Sequence, residues 1–136
     1  GNLIVQYNTA HRLKTEDFGP FPIELSRDRV TEEDAEVSFL LPNHPVLNEP
    51  NKITKADFDN WVQERGLYFP HEWDENYKAI LSWHDTGEEP KSGSLLVAKY
   101  GKGNYVYTGI SFFRELPAGV PGAYRLLVNI LSLGNE

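Results

Sequence analysis

The chain has 136 residues, a net charge of −7 and an apolar fraction of 40%, values that predict one ordinary soluble domain with a hydrophobic core. An acidic domain repels phosphate backbones, so we expect no nucleic-acid partner. The absence of cysteine excludes disulfides, thiolate metal sites and a cysteine nucleophile. No apolar run approaches the roughly 20 residues of a membrane-spanning helix, so we expect no membrane span.

The first third of the sequence predicts two strands separated by a long loop. Asn2 to Tyr7 is apolar and partly β-branched, which predicts a buried strand. Because the sequence opens on this strand, we expect residues 1–136 to be a single domain cut from a longer chain. Residues 8–30 combine mixed charge with the turn FGPFP and predict a surface loop. An acidic turn follows, in which Thr31 and Asp34 have capping-box spacing, and then a strand over residues 36–41.

The middle of the sequence predicts a helix after a proline-rich loop. Thr54 is expected to cap this helix, Asp57 to lie in its first turn and Gly66 to end it. The residues expected on one helical face are Phe58, Trp61, Val62 and Arg65. An irregular aromatic segment over 67–77 and a strand over 78–84 follow, and an exposed acidic turn starts at 85.

The last third predicts a β-hairpin and a closing helix. Two strands, 94–100 and 104–111, flank the tight turn GKG, whose glycines supply the positive φ that such a turn needs. The helix starts near Pro121 and ends at Gly134. Its predicted buried stripe consists of Ala123, Leu126, Leu127, Ile130 and Leu131.

These elements predict an α/β fold with one mixed β-sheet of about five or six strands and two main helices. Two helices are too few to cover both faces of a complete doubly wound sheet. We therefore expect one edge or face of the sheet to be left open.

Several segments that together span nearly the whole chain carry a family resemblance. They are GNLIVQYNT, DRVTEEDAEV, HPVLNEPNKIT, DFDNWVQERGLYF and LLVAKYGKGNYVYTGISFFRELPAGVPGAYRLLVNIL. This pattern resembles the C-terminal region of bacterial LmbE-like (PIG-L family) deacetylases, a region similar to a class I glutamine amidotransferase-like domain. The resemblance implies the C-terminal half of a flavodoxin-like fold and favours the bacterial periplasm or cell envelope, with the cytoplasm as the alternative compartment.

The chain departs from both families at the residues that carry their chemistry. The LmbE-like deacetylases bind their metal through a His-Pro-Asp-Asp-type motif, and the only similar segment here, NHPV at 43–46, lacks the aspartates. The amidotransferases use a cysteine nucleophile, and this chain has none. The resemblance therefore implies a non-catalytic accessory or interaction domain without catalytic residues, metal or cofactor. Its expected partner is an upstream deacetylase-type domain, or a second copy of the chain.

An alternative function comes from an aromatic cluster between residues 61 and 83. Flat rings beside hydrogen-bonding groups are typical of carbohydrate sites, because apolar faces stack on sugars and polar edges satisfy hydroxyls. The candidate glycan-binding residues are Trp61, Arg65, Tyr68, His71, Trp73 and Trp83. The competing interpretation is that these tryptophans are simply part of the core.

Three further residues complete the candidate ligand-binding set. His84 and Asp85 follow a predicted strand, where catalytic groups often lie, so a hydrolase centred on them is a second alternative. The competing interpretation is a surface or capping histidine. Arg114 precedes the closing turn and is a candidate for holding an anion or a carboxylate, although such arginines more often tie a loop to a helix.

Overall fold

The computed structural model describes residues 1–6 and 20–134 and shows a mixed α/β protein. The strands in this part of the chain are β1 (Asn2–Gln6), β2 (Ile23–Val30), β3 (Val37–Phe39), β4 (Gly66–Trp73), β5 (Lys78–Ala79), β6 (Leu81–Trp83), β7 (Leu95–Tyr100) and β8 (Gly103–Thr108). The helices of these described residues are α1 (Phe112–Glu115) and α2 (Pro121–Leu131), with 3₁₀ turns at Pro45–Leu47 and Lys55–Phe58. Among the described residues, no helix is long and apolar enough to cross a membrane.

The described strands form three sheets instead of the single sheet predicted. The main sheet has four strands in the order β1-β8-β7-β5, and β1 runs parallel to β8 while the other pairs are antiparallel. Two antiparallel ribbons, β2-β4 and β3-β6, pack beside it. The prediction of mixed strands with two helices is thus confirmed, and the prediction of one continuous sheet is wrong.

Side chains that alternate in direction along β7 and β8 form a hydrophobic core on each face of the main sheet. Val97 and Val106 lie on the face that packs against Leu126 and Ile130 of α2. Their neighbours along the strands, such as Tyr105, belong to a second core on the opposite face, formed with residues of β2 and the segment before β5. Because side chains in a strand point alternately to opposite faces, this pattern requires a cover on both sides.

The predicted terminal elements form where the structure describes them, but the first strand is partly exposed instead of buried, with Leu3 60% exposed. The first strand runs over Asn2–Gln6, and the rest of its predicted span, Tyr7, lies outside the described residues, as do residues 8–19 of the predicted loop. The GKG hairpin forms between β7 and β8, with Gly101 at φ 59°. The closing helix begins at Pro121 as predicted, but Leu131 is exposed instead of buried.

The predicted start of the helix is confirmed, with Thr54 as the N-cap and Asp57 in the first turn, but its predicted continuation to Arg65 is wrong. Only a 3₁₀ turn forms, and Asp57 Oδ2 accepts a hydrogen bond from the Thr54 N–H at 2.9 Å. The helix cannot continue because Asn60 and Gln63 adopt positive φ values of 63° and 66°, the left-handed region. Gly66 then begins β4 instead of ending a helix.

The predictions of irregular structure for 23–30 and 67–73 are also wrong, because these segments pair as β2 and β4, whereas residues 74–77 are irregular as predicted. The register of β2 and β4 shifts three times, so the two-residue alternation that identifies a strand is interrupted. The strand predicted over 78–84 is split at Ile80, and its halves β5 and β6 join different sheets.

Gly122 tests how closely α2 packs, because its backbone lies directly against the 3₁₀ turn that contains Asp57. A Cβ at this position would overlap the carbonyl group of Asp57. Replacing glycine by alanine inside a helix ordinarily stabilises it by about 1 kcal/mol. Here we expect Gly122→Ala to lower the free energy of unfolding by about 2 kcal/mol, measured by urea denaturation, because overpacking displaces backbone.

The control is Val128→Ala on the exposed side of the same helix, expected to change stability by less than about 0.5 kcal/mol. A Gly122→Ala protein as stable as the wild type would show that α2 does not pack this closely.

Candidate functional site

Arg65 is the most deeply buried charged residue of the candidate set, with 3% of its surface exposed. Its Nη1 donates to the carbonyl of Phe58 at 2.6 Å and its Nη2 donates to the carbonyl of Ala35 at 2.7 Å. Its backbone N–H donates to the carbonyl of Val30 at 2.9 Å. Arg65 therefore joins the 3₁₀ turn, the segment before β3 and the end of β2.

The guanidinium of Arg65 lies against aromatic rings instead of solvent. Its Cζ is 5.7, 5.4 and 5.6 Å from the ring centroids of Phe58, Trp61 and Trp83. Burial lowers the pKa of Arg65 to about 10, although the carboxylates of Asp34, Glu115 and Asp59 act in the opposite direction. The residue therefore stays protonated at neutral pH, and cation–π contact offsets part of its desolvation.

The two tryptophans beside Arg65 belong to the core. Trp61 is 2% exposed and Trp83 is 1% exposed, and their ring centroids lie 6.2 Å apart at an edge-to-face angle of 70°. Trp61 also stacks on Phe58 at 5.3 Å. A pocket of about 370 Å³ adjoins this cluster, and its rim carries Glu33, Asp34 and Asp59. The ring faces that a sugar would need are thus largely occupied by other side chains.

The remaining aromatic candidates lie on β4, away from this cluster. Trp73 is partly buried against the second core, whereas Trp61 and Trp83 are in the first. Tyr68 is half-buried at a positive φ of 56°. His71 is exposed, with Nε2 3.2 Å from Glu24 Oε1. The structure therefore divides the predicted glycan-binding residues between two regions.

Asp85 makes a compact set of contacts that its sequence context did not indicate. It lies in the turn predicted to be exposed, yet it is 8% exposed. Its carboxylate accepts hydrogen bonds from the backbone N–H and Oγ1 of Thr31 and from the backbone N–H of Glu32, at 2.8 to 3.1 Å. Thr31 thus bonds to Asp85 instead of forming the capping box predicted with Asp34.

The hydrogen bonds of Asp85 explain its acidity. Burial alone would raise the pKa of Asp85, but the donors of Glu32 and Thr31 outweigh burial and hold the pKa below its usual value. His84 is exposed, and its Nδ1 lies 2.8 Å from the backbone carbonyl of Asp85, not from its carboxylate. The pair therefore lacks the carboxylate–imidazole contact that orients a catalytic histidine.

Arg114 belongs to a polar group around α1. Its Nε donates to Glu64 Oε1 at 2.8 Å, which ties α1 to the segment before β4. Glu115 is fully buried and accepts from the Val62 N–H at 2.6 Å and from Ser111 Oγ at 3.0 Å. Desolvation raises the pKa of Glu115. No sequence pattern indicates this buried carboxylate, because a four-residue helix is too short to show periodicity.

An exposed apolar surface lies where β1 meets α2. Among the described residues β1 pairs only with β8, so its other edge has no strand beside it. On α2, the exposed residues Tyr124, Val128 and Leu131 are spaced by four and three positions and lie along one side of the helix. Asn2 Nδ2 donates to the carbonyl of Leu131 at 3.2 Å, which places the C-terminal end of α2 beside the start of β1. We call the free edge of β1 together with these three residues the β1–α2 surface.

Comparison of the chain with protein-family models, with curated proteins and with solved structures finds no match in any of the three. Proposals about function therefore rest on the contacts described above and on the resemblance of the sequence.

The contacts of Arg65 predict a structural role that can be measured. Arg65→Met should lower the free energy of unfolding by about 3 kcal/mol, because two buried carbonyl groups lose their hydrogen-bond donors. Arg27→Met, at an exposed position of β2, is the control and should change stability by less than about 0.5 kcal/mol. Equal stability of the Arg65→Met and wild-type proteins in urea denaturation would contradict this assignment.

The hydrogen bonds of the Asp85 carboxylate predict a pH-dependent contribution of this residue to the free energy of unfolding. Asp85→Asn should destabilise the protein by about 2 kcal/mol at neutral pH, because it weakens hydrogen bonds made to a charged carboxylate. Since the folded-state pKa of Asp85 is lowered, this contribution is present above the usual pKa of aspartate, about 3.9, and is lost as the pH falls through the lower folded value.

Thermal denaturation of wild-type and Asp85→Asn proteins between neutral and acidic pH checks this expectation, with Glu89→Gln in the same exposed turn as the control. A stability difference that stays constant down to the lowest pH would show that the charge of Asp85 is not responsible.

Proposed function

We propose that the chain is a non-catalytic interaction domain of a sugar-deacetylase-type protein and that it docks through the β1–α2 surface. The observation that carries the proposal is an edge of β1 that no strand of residues 1–6 and 20–134 covers, together with an exposed apolar side of α2. The proposed partner is the deacetylase-type domain that the sequence resemblance associates with this region.

The edge of β1 favours pairing with another strand. An unpaired edge presents N–H and C=O groups in the spacing that an added strand requires, and natural sheets normally cover such edges. Leu3, the second residue of this edge strand, is 60% exposed. These features support an interface at the edge rather than a strand adapted to solvent.

The exposed side of α2 extends the same interface. One side of the helix is buried in the core through Ala123, Leu126 and Ile130. Its other side presents Tyr124, Val128 and Leu131, with Leu131 56% exposed. A helix that is apolar on two sides is typical of an element packed between two layers. In the flavodoxin-like arrangement that we infer from the resemblance, the partner would supply the second layer.

The other two hypotheses receive less support from the contacts. A glycan site would use the faces of Trp61 and Trp83, which are 2% and 1% exposed. A hydrolase centred on His84 and Asp85 would use a carboxylate that already accepts hydrogen bonds from Thr31 and Glu32. The interaction proposal does not require the buried tryptophan rings to become exposed or the hydrogen bonds of Asp85 to break.

Charge placed on α2 tests the proposal. We expect the isolated chain to self-associate as its concentration rises, because the β1–α2 surface then has only other copies of the chain to bind. The double variant Val128→Lys, Leu131→Lys should stay monomeric at the same concentrations. Size-exclusion chromatography with light scattering measures both. The matched control is Leu40→Lys, Leu41→Lys, which charges two exposed leucines outside the surface and should leave association unchanged.

The same variants should be compared for binding to the separately expressed deacetylase-type domain by calorimetry. The proposal is overturned if the wild-type chain is monomeric at every concentration and also fails to bind that domain.

A further inference from the structure

We propose that Glu24, His71 and Glu72 form a binding site for a divalent transition-metal ion, with Zn²⁺ as the best match. Each residue offers one ligand atom, and these atoms all lie within 4.8 Å of one another. This site lies on the β2-β4 ribbon and is independent of the β1–α2 surface.

An irregularity in strand pairing brings the three side chains together. Glu24 lies opposite Glu72, but the next residue of β2, Leu25, lies opposite Pro70. His71 is therefore an extra residue in β4, which is the definition of a β-bulge. In a regular strand His71 and Glu72 would point to opposite faces. The bulge removes this separation, and both side chains approach Glu24.

The distances suit a small ion. His71 Nε2 lies 3.2 Å from Glu24 Oε1. Two ligands about 2.1 Å from a tetrahedral zinc ion lie about 3.4 Å apart, close to the observed separation. The third ligand, Glu72, is exposed, and exposed side chains change rotamers within nanoseconds. A modest rotation of Glu72 can therefore complete the set.

The charge and chemistry of the donors favour the same class of ion. Two carboxylates and one imidazole suit zinc and neighbouring transition metals better than the purely oxygen-bound Ca²⁺. Among residues 1–6 and 20–134, neither Glu24 nor Glu72 forms an ion pair with a lysine or arginine. The negative charge of the two carboxylates is thus not neutralised by a permanent cation, and a divalent ion would balance it.

The position of the site predicts its effect. The ligands come from both strands of a ribbon whose register is irregular, so a bound ion would link β2 to β4. The ligands are exposed or half-buried, which leaves coordination positions open to water or to a group from a partner. We therefore expect metal binding to raise the thermal unfolding temperature as well as to occupy the site.

Isothermal titration calorimetry with ZnCl₂ tests the proposal on tag-free protein treated with a chelator. One ion is expected per chain, and Glu24→Gln and His71→Ala should each weaken binding by at least about tenfold. The controls are Glu75→Gln and His84→Ala, an exposed carboxylate and an exposed imidazole outside the site, which should bind as the wild type does.

A thermal scan with and without ZnCl₂ provides the second readout, and circular dichroism checks that each variant is folded. If His71→Ala fails to fold, Glu24→Gln decides the outcome, because it preserves the shape of the side chain. The proposal is overturned by the absence of saturable zinc binding, or by binding and thermal stabilisation that persist in Glu24→Gln and His71→Ala.

Discussion

A buried positive charge organises much of this structure. Arg65 loses its hydration on folding, and that cost is offset by short hydrogen bonds to the carbonyls of Phe58 and Ala35 and by contact with the ring of Trp83. Its own backbone carbonyl accepts a hydrogen bond from the N–H of Ser111. Segments far apart in the sequence thus converge on one side chain, and the guanidinium occupies the space between aromatic rings that a ligand would otherwise need.

Polar contacts at the helices determine which apolar side chains remain exposed. Arg125 Nε donates to Asp57 Oδ1 at 2.8 Å, and Asn129 Nδ2 donates to the carbonyl of Val46 at 2.9 Å. These bonds fix the rotation of α2 about its axis, so Leu126 is buried while Leu131 faces outward. The exposed side of α2 is therefore held in place by specific contacts and does not arise from a loosely packed helix.

The sequence predicts elements whose pattern is local and regular, and it fails where tertiary contacts override that pattern. The GKG hairpin and the helix starting at Pro121 follow from turn chemistry and periodicity. The spacing of Trp61 and Arg65 is helical, but the backbone turns left-handed at Asn60 and the two side chains meet through aromatic packing instead. The approach of His71 to Glu24 depends on a bulge between distant strands, which no local pattern reveals.

The pairing of β1 with β8 has a consequence for the order of folding. Asn2 lies opposite Asn104, and their side chains are hydrogen-bonded across 102 positions of the chain. Closing so long a loop costs more entropy than forming the local β7-β8 hairpin, so contacts of this kind tend to form late. The edge available to a partner would then exist only after β8 is in place, and a half-folded chain would not present it.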